Sequence, residues 1–126
     1  MARPAYSPLV IEHFDHPRNV GRFAVAPDVI EASAGRVEQG AVFCLSAKVS
    51  AETIQALSVR AYGCPHCIAA ASWLSEQFVG KTPAELLDWS WRDAERVLQV
   101  PAEKRGRLLL LEDAVRQLAV RWRQRL

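Results

Sequence analysis

Long apolar runs are missing from this sequence. No stretch approaches the ~18 residues that a membrane-spanning helix needs, and the opening M-A-R-P-A-Y-S-P-L-V holds no apolar core of signal-peptide length. A cytoplasmic protein with no membrane partner is therefore expected. Cysteine is scarce and odd in number, three in 126 residues. In a reducing compartment that count argues against a disulfide framework and leaves reactive, metal-binding or buried thiols. Internal repeats and low-complexity tracts are absent, so nothing marks a second domain. A chain of this size buries about two-thirds of its unfolded surface, and one domain over residues 1–126 is expected.

Strong net charge is also lacking. The formal +2 conceals an asymmetry, since residues 104–126 carry seven Lys/Arg against Glu112 and Asp113 while the remainder is net negative. Such a basic end can meet an acidic partner or nucleic acid. Aromatic residues are not interleaved with it in the manner of a nucleic-acid surface. Arg116, Arg121, Arg123 and Arg125 suit the solvated side and C-terminal end of a helix, so no nucleic-acid partner is expected. Trp73, Trp89, Trp91 and Trp122 fall at helical spacing and read as packing residues.

What is present has a clear order. Ser7-Pro8 fits an N-cap followed by a first-turn proline, and Pro17 disfavours helix at His16, so Leu9 to Asp15 reads as a short helix. Three runs rich in Val, Ile and Ala follow, near 29–34, 41–49 and 53–61, separated by Ala34-Gly35, Glu38-Gln39-Gly40 and Ser50-Ala51-Glu52. Their tight joints predict antiparallel strands. After Gly63 the period becomes helical, through Ile68, Ala71, Leu74 and Phe78 to Gly80. Thr82-Pro83-Ala84-Glu85 is a capping box, Ser90 can cap the next helix, and Leu108, Leu111, Val115, Leu118 and Trp122 mark a final amphipathic helix. The expected class is α+β, a three-stranded antiparallel sheet packed against helices.

Cys64-Pro65-His66-Cys67 is the motif that carries chemistry. The three-residue step puts both thiols on nearly one helix face. Cys64 is placed at a helix start, where free N–H groups and the macrodipole favour a thiolate, and His66 can add positive charge. Three readings stay open: Cys64 as a persulfide-accepting or redox thiol with Cys67 as resolving thiol, a metal site completed across a homodimer, or plain packing. Cys44, mid-strand on the face of Val42 and Ser46, is expected in the core. A structural or docking role is expected for His13 and His16. Glu112 and Asp113, adjacent on a helix, point two ways and leave few spare ligands.

The stretch Y6-S-P-L-V-I-E-H-F-D-H-P-R-N-V-G21 resembles the opening of the NifU/IscU family of iron-sulfur cluster assembly scaffolds. The likeness continues through G40-A-V-F-C-L-S-A-K-V49, A61-Y-G-C64, F78-V-G-K-T and L111-E-D-A114. It implies the same α+β fold, a non-enzymatic scaffold role, and a cysteine desulfurase partner docked near Tyr6 and the Pro17-Arg18-Asn19 turn. It also implies a site for an iron-sulfur cluster, iron or zinc, built from three cysteines with acidic and histidine side chains. Here the matching positions are Gln39 for a cysteine, Ala41 for an aspartate, and Gly106-Arg107 for a His-Cys pair; only Cys64 keeps its place. Iron and zinc want about four thiolate or imidazole ligands, so cluster binding is expected to be weak or absent. V100-P-A-E-K104 matches the segment for an Hsp70-type chaperone at two of five positions, which makes the desulfurase the better-supported partner. The leading expectation is a repurposed scaffold that accepts sulfur or weakly binds metal through Cys64 and Cys67. The alternatives are a cytosolic thiol-disulfide oxidoreductase and a non-catalytic regulatory module on the same fold.

Overall fold

The computed structural model describes residues 6–125. Helix α1 (Pro8–Asp15) starts at Ser7, whose hydroxyl accepts from the Val10 N–H and donates to the Leu98 carbonyl at 2.7 Å. One side chain thus caps the helix and ties it to a segment 91 residues away. Strands β1 (Val29–Arg36), β2 (Ala41–Val49) and β3 (Ile54–Gly63) form an antiparallel sheet in the order β1-β2-β3. Helices α2 (Pro65–Gln77), α3 (Pro83–Asp88), α4 (Trp91–Leu98) and α5 (Arg105–Gln124) complete the order. The capping box at Thr82 forms, with Glu85 N–H donating to Oγ1 and Thr82 N–H donating to Oε1. Ser90 caps α4.

The expected α+β architecture holds. Helix α5 lies against β1 and β2, and α2 lies against β3, all on one face of the sheet. Alternation along β2 sends Ala41, Phe43, Leu45 and Ala47 into that layer, where they join Leu74, Phe78, Leu111, Leu118 and Trp122. Trp73, Trp89 and Trp122 are core residues; Trp91 is half-buried beneath the Arg92 guanidinium. The arginines of α5 do more than face water. Arg121 donates to the Glu31 carbonyl, and Arg125 to the carbonyls of Pro27 and Val29, which occupies acceptors along the β1 edge.

Two expectations need correction. Ala34-Gly35 does not end β1, which continues to Arg36, paired with Ala41; β3 likewise runs on to Gly63. Cys44 is not in the core. It shares a face with Val42 and Ser46, but that face is the one turned away from α2 and α5, so Cys44 stays half-exposed between Ser33 and Arg60. The extended chain before β1 crosses this face, where Phe23 N–H donates to Ser46 Oγ.

Helix α2 is buried on nearly every side because it sits between β3 and α1. Its small residues let the neighbours approach, and two serines form a polar seam. Ser72 Oγ accepts from Arg18 N–H at 2.8 Å and lies 2.7 Å from His13 Nδ1. Donation from the Ser72 hydroxyl to a neutral His13 satisfies all three groups. Asn19 Nδ2 donates to Ser75 Oγ, and its carbonyl accepts from Val59 N–H. Burial first, then the Arg18 charge, lowers the His13 pKa from its ordinary 6.5, against the pull of Glu76 and Glu12.

Ser72→Ala leaves two buried groups without a partner, and a loss of about 1–3 kcal/mol is expected in urea unfolding at neutral pH. Because the native pKa of His13 is lowered, the unfolded chain takes up a proton that the folded chain refuses. Stability is therefore full above about pH 6.5 and falls as the pH drops through that unfolded value toward the lowered native one. His13→Gln is expected to flatten this decline, measured as the urea midpoint against pH.

Candidate functional site

Four segments meet at one end of the molecule: the turn between β1 and β2, the end of β3, the start of α2 and the start of α5. Gly40, at the end of the 3-10 turn Val37–Gln39, has φ of 83°, and Gly63, the last residue of β3, has φ of 147°. Both also have neighbours where a side chain would stand. A Cβ on Gly63 would lie 2.8 Å from Cys67 Sγ and 3.0 Å from the Gly40 carbonyl oxygen. A Cβ on Gly40 would lie 2.6 Å from Arg107 Nη2. The absence of two β-carbons leaves room for Cys67 and the α5 guanidinium against the β1–β2 turn.

Cys64 is the N-cap residue of α2, with Pro65 at the first helical position. The two Sγ atoms stand 3.7 Å apart, so the expected meeting of the thiols is present. Their settings differ. Cys64 is half-buried and Cys67 is 1% exposed. Burial works against ionisation of Cys64, but the backbone N–H and thiol of Cys67, the His66 N–H and the Lys104 charge outweigh it and hold its pKa below the ordinary thiol value. Burial, followed by the Cys64 charge, pushes Cys67 up to about 12. One thiol is thus the more readily ionised and more accessible, and the other is its protonated, enclosed partner.

His66 is buried against the Tyr6 ring, with centroids 4.9 Å apart. Burial and then the Lys104 charge lower its pKa. It is therefore neutral, and the expected positive charge near Cys64 comes from Lys104 instead. Neither His66 ring nitrogen nor Arg107 Nε has a hydrogen-bond partner among the described residues.

The structure brings Cys64, Cys67, Gly40 and Arg107 together, and leaves other candidates elsewhere. Gln39 is exposed on the turn, Ala41 is fully buried at the start of β2, and Gly106 is exposed on α5. Glu112 is engaged with the Trp91 N–H, and Asp113 is exposed. Pro17 is exposed, while Arg18 and Asn19 fold their turn onto α2 and β3. Among the described residues, no group of three or more His, Cys, Asp or Glu side chains converges in a way that could hold a metal ion. Arg107 adds a cation beside the cysteine pair. The donor set does not fit a resident cluster or zinc ion. Lys104 and the two glycine contacts escaped sequence reading; the available signal was the Lys104/Arg107 spacing of three at the start of a helix.

Residues 5–126 match the family model described as the NifU-like N terminal domain. The chain belongs to the NifU-like family. It is 34% identical over 121 residues to the iron-sulfur cluster assembly protein IscU of Plasmodium falciparum, covering 95% of this chain and 75% of that one. It is 34% identical over 114 residues to the iron-sulfur cluster assembly scaffold protein IscU of Azotobacter vinelandii, covering 89% of each. In three dimensions it resembles the N-terminal part of a nitrogen-fixing NifU-like protein from Brucella abortus, with a TM-score of 0.71 at 16% identity over 94% of this chain and 93% of that one. This NifU-like domain therefore keeps the family's fold, while its sequence places Arg107 against the glycine turn.

Alkylation by iodoacetamide should modify Cys64 with a midpoint below that of a free thiol, and leave Cys67 unmodified until the chain unfolds. Lys104→Gln is expected to move the Cys64 midpoint upward, read by mass spectrometry across a pH series.

Proposed function

We propose that this chain serves iron-sulfur cluster assembly as a scaffold-like protein that accepts sulfur, docked on a cysteine desulfurase in the cytoplasm, with Cys64 as the acceptor thiol. The observation that carries the reading is the thiolate-favouring placement of Cys64 beside Lys104, at a site where the described residues offer no metal-binding donor set. A persulfide is an anion at neutral pH, so the positive charges that disfavour a ferrous ion favour a thiolate or its persulfide. The names of the relatives speak for assembly, and none of those reported above speaks for a thiol-disulfide oxidoreductase or a module without thiol chemistry. Docking through Tyr6 and the Pro17-Arg18-Asn19 turn would place the desulfurase on the side of α1. That surface carries the exposed apolar residues Ile11, Phe14 and Val20.

The test is transfer of radiolabelled sulfur from a cysteine desulfurase supplied with labelled cysteine. Wild-type chain is expected to carry label that reducing agent removes, and Cys64→Ser to carry none while its circular dichroism is unchanged. Label retained by Cys64→Ser would sink the assignment. A second measurement addresses the metal. Wild type is expected to bind zinc substoichiometrically, whereas a Gln39→Cys, Arg107→Cys double variant, which adds two thiolates and removes the cation, should approach one zinc per chain.

A further inference from the structure

Sulfur accepted as a persulfide is at the wrong oxidation level for a cluster, which is built from sulfide. The following rests on Cys64 being the acceptor. Cys67 is enclosed at 1% exposure, so a partner protein cannot deliver sulfur to it directly. It nevertheless stands 3.7 Å from the sulfur that would carry the persulfide, on the same helical turn. Gly63 presents no side chain against it. Closing the remaining gap to a disulfide of about 2.05 Å calls for side-chain rotation rather than rearrangement of the helix. An accessible acceptor with a sheltered thiol behind it is a geometry that lets the second sulfur reach the inner atom of a persulfide.

We propose that Cys67 expels the accepted sulfur as sulfide, making the C-P-H-C turn a persulfide-to-sulfide converter. Cys67 Sγ attacks Cys64 Sγ of the persulfide, the Cys64–Cys67 disulfide forms, and the bond from Cys64 Sγ to the outer sulfur breaks. The outer sulfur leaves with that bond's electron pair and takes the proton of Cys67, departing as hydrosulfide. The outer sulfur gains two electrons, and the two cysteine sulfurs lose one each. An external dithiol reductant then returns the disulfide to two thiols by exchange, with one dithiol oxidised per sulfide released. The ligands that this member lacks are not needed for such a step, since no iron takes part in it.

The experiment treats the reduced 126-residue chain with one equivalent of glutathione persulfide under anaerobic conditions. Released sulfide is trapped with bimane, and the fragment between Arg60 and Lys81, which contains both cysteines, is weighed. Wild type is expected to release close to one sulfide per chain and to yield that fragment two hydrogens lighter. Cys67→Ala and Cys67→Ser, each checked for native circular dichroism, are expected to hold the extra sulfur on Cys64 and to release at least ~10-fold less sulfide. Undiminished release by both variants overturns the proposal, as does sulfide release accompanied by a Cys64–glutathione disulfide in wild type. Extra sulfur retained on Cys64 in wild type also overturns it while leaving the acceptor role intact. Failure of Cys64 to take up sulfur in the Cys67 variants removes the acceptor role and, with it, this step.

Discussion

Where β3 runs out at Gly63 and Cys64 caps α2, two other chain segments crowd the space of a single β-carbon. Cys67 Sγ, Cys67 Cβ and the Gly40 carbonyl would all lie within about 3 Å of a side chain at Gly63. Because that side chain is hydrogen, the first turn of α2 folds back onto the strand it has just left. The helix start is thereby held against the β1–β2 turn, and Cys64 is left at the rim with Cys67 beneath it. A positive φ and close backbone approach are the two circumstances in which glycine cannot be replaced without strain, and Gly63 meets both. The rest of this end of the molecule depends on that approach, including the position of Gly40 under the Arg107 guanidinium.

Charge then decides what such a pocket of thiols can do. A site for ferrous iron or zinc needs several converging anionic or imidazole donors, and each donor raises the affinity of the site only while cations stay away. Here the converging groups are one thiolate-prone sulfur, one protonated sulfur, and the cations Lys104 and Arg107. On a fold whose relatives are named for cluster assembly, the charges beside the cysteine pair here are cationic. Sulfur anions benefit from those charges. The shift in the Cys64 pKa and the opposite shift in Cys67 have a common origin, since a charge on one opposes a charge on the other, and burial assigns the charge to the more exposed sulfur.

The N-terminal turn illustrates a different use of polar groups. Its histidine, arginine and asparagine look in the sequence like a recognition surface, yet the contacts of His13, Arg18 N–H and Asn19 are with Ser72, Ser75 and Val59. The turn is fastened to a buried helix by hydroxyls, and the apolar side chains of α1 and Val20 remain outside. These polar groups seat the turn on α2 and β3, and Ile11, Phe14 and Val20 make up the apolar surface beside it.

Much of this was legible from the chain alone. Proline at first helical positions, the Thr82 capping box, the strand-like runs and the C-x-x-C step are local features, and local chemistry decided α1, α3, the sheet and the facing of Cys64 toward Cys67. That Gln39, Ala41, Gly106 and Arg107, the positions the resemblance points to, carry no thiolate, carboxylate or imidazole was equally visible, since it requires only residue identity. Tertiary structure decided the rest. Cys44 has the same alternation whichever face is covered, and only the packing of α2 and α5 on the opposite side leaves it half-exposed. The neutrality of His66 follows from burial beside Lys104, which lies 38 positions away and reaches it only through the fold. Arg107 could be read as a cation in the sequence, but its seat on Gly40 arises because the fold brings the start of α5 against a turn residue that has no side chain.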